Sequence, residues 1–240
     1  MNDYISILSV ILFALVLIFT FILLLPYEKK EKTTHELISG MTLDAVFIAI
    51  ILIMTFVPNM GYIAITPFVS LTLLHLPVLL GAALGGWKKG LMLGLIFGLS
   101  SYMQALSSAG FNALFAYPWV AIPPRMIFGL VAGIVLSFIG KVSKKGMTGL
   151  YLGIACALLT ALHTALVFFD LYIFYPDTIA GLFSSTSPIA TGTTLTFLLV
   201  IAFGMLGEMA VAAIIVPPLT LASRKVLPRL GQHRRTRSIR

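Results

Sequence analysis

Charge is scarce in this sequence, and so is cysteine. Only 10% of the 240 residues are charged, 59% are hydrophobic and the mean hydropathy is +1.05, which lies far outside the range of soluble globular domains. The one cysteine, Cys156, sits in an apolar run and has no partner for an intramolecular disulfide, which removes redox pairs and cysteine-rich metal centres. The chain has no phosphate-binding GxxxxGK[ST] loop, no HExxH helix and no GxSxG turn. Paired aspartates suited to holding magnesium on a diphosphate are missing too. No cofactor and no metal site is expected, and any active transport must draw its energy from a partner.

What the chain has in abundance is long apolar runs. A helix needs about 20 apolar residues to cross a hydrocarbon core of about 30 Å. The sequence predicts seven such spans, near 4–26, 41–58, 69–86, 90–106, 121–140, 148–174 and 193–222. The first lacks a positive flank and a small-residue cleavage site, so it reads as an uncleaved helix rather than a secretory signal. Basic residues then orient the chain, because cytoplasmic loops collect them. Lys29, Lys30 and Lys32, Lys88 and Lys89, Lys141, Lys144 and Lys145, and the seven basic residues from Arg224 to Arg240 all fall on one side. The loops 59–68, 107–120 and 175–192 contain no lysine or arginine. This predicts a multi-pass protein of the cell membrane with an extracellular N-terminus and a cytoplasmic C-terminus. The net charge of +8 reflects topology and attraction to anionic lipid rather than nucleic-acid binding.

The sixteenth basic residue, Arg125, lies on the other side, after Pro123 and Pro124. Ionisable groups inside apolar helices are costly enough to be functional candidates, and Arg125, Asp170, Glu208, His75 and His163 form that set. At about 1.5 Å per residue, Arg125, His75 and Asp170 fall within about 10 Å of the outer surface, with Glu208 and His163 near about 20 Å. Arg125 either binds a ligand carboxylate through its planar fork or neutralises Asp170. Glu208 and His163 either tie two helices together or serve a function. Near the outer helix ends stand Asn59, Gln104 and Asn112, and the segment SSAGFNALFAYPWVAIPPR adds Tyr117 and Trp119, an aromatic belt or the rim of a pocket. The uncharged segment 59–68, with Gly61, Tyr62 and Pro67, suits a lid.

These residues carry a resemblance. The helix MTLDAVFIAIILIMTFVP, the segment NMGYIAITPFVSLTLLHLPVLLGAALGGWKKG, the glycine-striped helix after it, YPWVAIPPRMIFGLVAG and the final GEMAVAAIIVPPLTLA resemble the S-component of energy-coupling factor vitamin importers. The resemblance covers about residues 38–223. Within that family HLPVLLGAALGGWKKG, the aromatic loop and PPRMIFGLVAG are most similar to the pantothenate type. It implies an all-α membrane fold, a six-helix bundle here joined by one additional N-terminal transmembrane helix. The expected division is 1–37 for that helix and a basic linker, 38–223 for the bundle and 224–240 for a basic cytoplasmic tail.

The resemblance also implies a function: capture of a small vitamin, best pantothenate, for uptake driven by an integral scaffold T-component and two cytoplasmic ATPases. Ala45 and Ala49 match the AxxxA face on which the family's first core helix docks the scaffold. The expected substrate-binding set is Asn59, Tyr62, His75, Gln104, Asn112, Trp119 and Arg125. Where the resemblance implies a second arginine, at the end of LMLGLIFGLSSYMQAL, the chain has Gln104, which leaves other small vitamins, precursors and nucleobase derivatives open. On the residues alone two further readings stay open. One is an intramembrane enzyme using His163, Asp170 and Glu208 on a lipid-like substrate, and the other is a packing subunit without a ligand.

Overall fold

In lipid every backbone amide needs an internal partner, so the apolar runs of this chain take up helix. In the computed structural model the described residues are 34–66, 69–108, 110–142, 147–178 and 194–237. The order is α1 (Thr34–Phe56), β1 (Tyr62–Thr66), β2 (Val69–Thr72), α2 (His75–Ala105), a 3-10 helix (Gly110–Phe115), α3 (Pro118–Ala121), α4 (Pro123–Val142), α5 (Thr148–Phe174) and α6 (Thr194–Arg237). Among these, five helices are long and apolar enough to cross a membrane, which makes this a multi-pass membrane protein.

Two of the predicted spans, 69–86 and 90–106, belong to α2, which turns back on itself. Gly86 has φ 77° and ψ −164°, a conformation that only glycine adopts readily. A Cβ added at Gly90 would lie against Ala82, and one at Gly81 would meet Leu93. In a continuous helix residues eight apart stand about 12 Å from each other, so the arms 75–85 and 87–105 run antiparallel. Counting both arms, the described residues form a six-helix bundle.

This corrects the expected six-helix bundle plus one additional N-terminal helix to a six-helix bundle overall. The stretch 4–26, where the first of the seven spans is predicted, lies outside the described residues, as does the N-terminus expected to be extracellular. A second correction concerns 69–86, whose helix starts only at His75. The residues before it alternate polar and apolar at 69–72, a strand period rather than a helical one. β2 pairs antiparallel with β1 in the register Tyr62↔Thr72, Ile63↔Leu71, Ala64↔Ser70 and Thr66↔Val69, with an irregularity between Ala64 and Thr66. An arm of 11 residues reaches only about 16 Å, and the hairpin takes up the chain that a longer helix would have used.

The tightest seam runs between the second arm of α2 and α4. Added Cβ atoms at Gly90, Gly94 and Gly98 would strike the backbone of Gly129, Arg125 and Ile122 respectively. The stripe GxxxGxxxG therefore does what such spacing does in lipid, where close backbone approach supplies the packing that hydrophobicity cannot. At one end of the bundle Lys89 pairs with Asp44 of α1 at 2.6 Å, and Arg224 of α6 donates to the Ala83 carbonyl at 2.7 Å. Both join other helices to the Gly86 turn.

The seam yields a direct prediction. Gly94→Ala should lower thermal stability in detergent by about 1–3 kcal/mol, since backbone cannot swing aside as a side chain can. Gly40→Ala, whose Cβ would meet nothing within 4 Å, should leave the melting curve in place. Equal behaviour of the two variants would show that the stripe is not a packing constraint.

Candidate substrate-binding site

A cavity of about 120 Å³ opens where the hairpin, the second arm of α2, α4, α5 and α6 converge, several times the ~15 Å³ that one water needs. Its walls are mostly apolar, with a few polar groups placed at separate points, the usual make-up of a small-molecule site. Tyr62 and Thr72 come from the hairpin, Ser101 and Gln104 from α2, Asn112 and Phe115 from the 3-10 helix, and Arg125 from α4. The far wall holds His163 and Thr164 of α5 and Gly204 and Glu208 of α6.

Arg125 dominates the electrostatics. Pro123 and Pro124 occupy the first turn of α4, where their missing amide donors cost nothing, and this holds Arg125 one step inside the helix. Its side chain is only 5% exposed. One guanidinium nitrogen donates to the Ala121 carbonyl at 2.7 Å, whereas Nε has no hydrogen-bond partner. The guanidinium carbon stands 5.2 Å from the Phe97 ring centre and 4.9 Å from that of Phe115, so two aromatic faces offset part of the cost of burial. Asp170 forms no ion pair with it: the ion pair found among the described residues joins Lys89 and Asp44.

The hairpin is fastened to the cavity at two points. Tyr62 shares a hydrogen bond of 2.6 Å with Ser101, and the Thr72 amide donates to the Glu208 carboxylate. Burial pushes the Tyr62 phenol above its ordinary range, opposed by the Arg125 charge and by the Ser101 bond. Beneath them the His75 and His163 rings stack with centres 6.2 Å apart, and Phe97 and Phe128 close on His163 at 5.5 and 5.0 Å.

Of the seven predicted substrate contacts, Tyr62, Gln104, Asn112 and Arg125 line one cavity. His75 lies behind the wall, fully buried against His163. Trp119 turns to Tyr117, whose ring centre is 5.2 Å away, and joins the Val120 and Leu171 cluster. Asn59 is exposed with φ 60°, a left-handed position just beyond α1 that asparagine tolerates. Thr72, Ser101, His163 and Glu208 were not in the predicted set. His163 and Glu208 carried the signal of ionisable groups in apolar helices, but assigning them to a deeper level hid that they share a cavity with Arg125. Neither ring nitrogen of His163 has a hydrogen-bond partner, so the expected His163–Glu208 tie is not formed.

The sequence has relatives among known proteins. The profile of the family described as "ECF transporter, substrate-specific component" matches residues 39–220. This chain is a member of that family. As an S-component it is a transporter subunit and not an enzyme, and membership implies T-component and ATPase partners. Among its relatives is "Pantothenic acid transporter PanT" of Lactococcus lactis subsp. cremoris, 31% identical over 216 residues, covering 81% of this chain and 97% of the relative. "Pantothenate transporter PanT" of Leuconostoc mesenteroides is 30% identical over 123 residues, 49% of this chain and 60% of that one.

The Tyr62–Ser101 bond can be tested without ligand. Tyr62→Phe and Ser101→Ala should each cost about 0.5–1.5 kcal/mol, and the double variant little more than either alone. Additive losses in thermal unfolding would mean that the two residues stabilise the protein separately.

Proposed function

We propose that this S-component captures pantothenate, from the side of the membrane opposite its lysine-bearing loops, with Arg125 binding the carboxylate. The observation that carries the reading is a buried arginine with no acidic partner within ion-pair distance among the described residues. An unpaired charge in an apolar bundle is expensive, and an anionic ligand is the counter-ion that removes the expense. Pantothenate has one carboxylate, an amide and two hydroxyls, matched here by Arg125 with Gln104, Asn112, Ser101 and Tyr62 around one cavity. The pantothenate transporters among its relatives support the same choice. Lys88, Lys89, Lys141, Lys144, Lys145 and the tail of α6 then mark the cytoplasmic side, with the cavity open to the outside.

Arg125 distinguishes this reading from a structural one. Arg125→Ala should weaken pantothenate binding by about 2–5 kcal/mol, and Arg125→Lys should already weaken it, because an ammonium cannot supply the two parallel bonds of a guanidinium. Without ligand the Arg125→Ala protein should melt close to wild type, because the loss of its aromatic contacts and of the Ala121 hydrogen bond is offset by removal of a buried charge that no salt bridge compensates. Isothermal titration of the purified protein with pantothenate and with pantothenol, its alcohol analogue, completes the test. Equal affinities for acid and alcohol would sink the carboxylate role.

The face by which this subunit meets its scaffold is assigned to α1. Phe47 and Ile51 turn into the bundle, whereas Ala45 and Ala49 are exposed one turn apart among Met41, Val46 and Ile53. Two small residues at that spacing let another helix approach closely. Ala45→Trp or Ala49→Trp should therefore leave pantothenate binding by the isolated subunit intact while abolishing uptake by the assembled transporter. Loss of binding alongside transport would place these residues in folding or in the site instead.

A further inference from the structure

The cavity holds an acid as well as a cation, and they do not meet. Glu208 of α6 is 7% exposed and lines the same wall as His163 and Gly204, yet no ion pair joins it to Arg125. One of its carboxylate oxygens accepts the Thr72 amide from β2. A carboxylate has about four acceptor sites on its two oxygens, and among the described residues no other hydrogen bond or ion pair occupies them. An acid at the edge of an apolar cavity with spare acceptor capacity gains from any donor that a ligand brings.

We infer that Glu208 is a specificity-determining residue of this S-component, accepting a hydrogen bond from a hydroxyl at the end of the ligand remote from the carboxylate held by Arg125. The inference rests on the carboxylate reading of Arg125 and names the other half of the substrate class. The site takes molecules that are anionic at one end and rich in hydrogen-bond donors at the other. A second carboxylate at that end would face Glu208 and be repelled, so dicarboxylates of the same length are rejected. The competing account is that Glu208 only anchors β2. The two differ in Glu208→Gln, whose side-chain carbonyl still accepts the Thr72 amide.

The test uses the full chain in detergent and three probes measured by titration calorimetry: pantothenate, pantothenol, and N-(3,3-dimethylbutanoyl)-β-alanine, which keeps the carboxylate and lacks both hydroxyls. Wild type should bind the dideoxy probe at least about tenfold more weakly than pantothenate, as sites built to hydrogen-bond a hydroxyl do. Glu208→Ala should bring those two affinities together, Glu208→Gln should narrow the gap, and Arg125→Ala should weaken both probes. Equal wild-type affinity for pantothenate and the dideoxy probe overturns the inference with no variant needed. A Glu208→Ala protein that keeps the wild-type ratio, whether or not both affinities fall, reduces Glu208 to a hairpin anchor. Failure of the carboxylate reading shows separately, as equal affinity for pantothenate and pantothenol, and a protein that binds none of the three overturns both.

Discussion

The seam between the second arm of α2 and α4 is the constraint from which the site follows. Gly90, Gly94 and Gly98 bring one backbone against another, and the carbonyl of Arg125 lies where a Cβ on Gly94 would be. Side chains at those positions would push α4 outward and carry the guanidinium away from Phe97, which stands on the same arm of α2. In lipid no hydrophobic force compensates such a shift, because the solvent is as apolar as the helix surface. Placement of a single charged group thus rests on three residues with no side chain at all.

Burying that charge makes the bundle a compromise. Two phenylalanine faces and the Ala121 carbonyl offset part of the cost of burying Arg125, but none supplies an anion. The hairpin links this electrostatics to shape. It contributes Tyr62 and Thr72 to the cavity and is fastened to α2 through Ser101 and to α6 through Glu208, so the neighbouring α2 and the distant α6 meet it around one volume.

Much of this was legible beforehand. Arg125 stood out because a permanent cation after two prolines, on the face opposite every other basic residue, has no topological excuse. Gln104 and Asn112 were legible as polar groups near outer helix ends, and Tyr62 as a polar group of the uncharged segment 59–68. Ser101 was not, since a serine inside a helix more often satisfies its own backbone, as Ser100 does by donating to the Phe97 carbonyl. His75 and Trp119 were misplaced for the opposite reason. Their side chains belong to the right level, but the local turn of each short element points them at His163 and Tyr117 rather than at the cavity.

By itself the sequence determined that the chain lives in a membrane, which loops share a side, which helix face packs by small residues and to which family the order of pieces belongs. The first three are properties of composition, period and spacing, and the family follows from resemblance to known sequences. Only the tertiary structure decided that Gly86 folds one long helix into two antiparallel arms, that 69–72 is a strand paired with 62–66 rather than the start of a span, and that Glu208 faces the same cavity as Arg125. Depth reckoned at a constant rise assumes straight, continuous helices. A single glycine with positive φ and a strand-paired turn break that assumption, and which polar groups then share a cavity depends on contacts between segments more than a hundred residues apart.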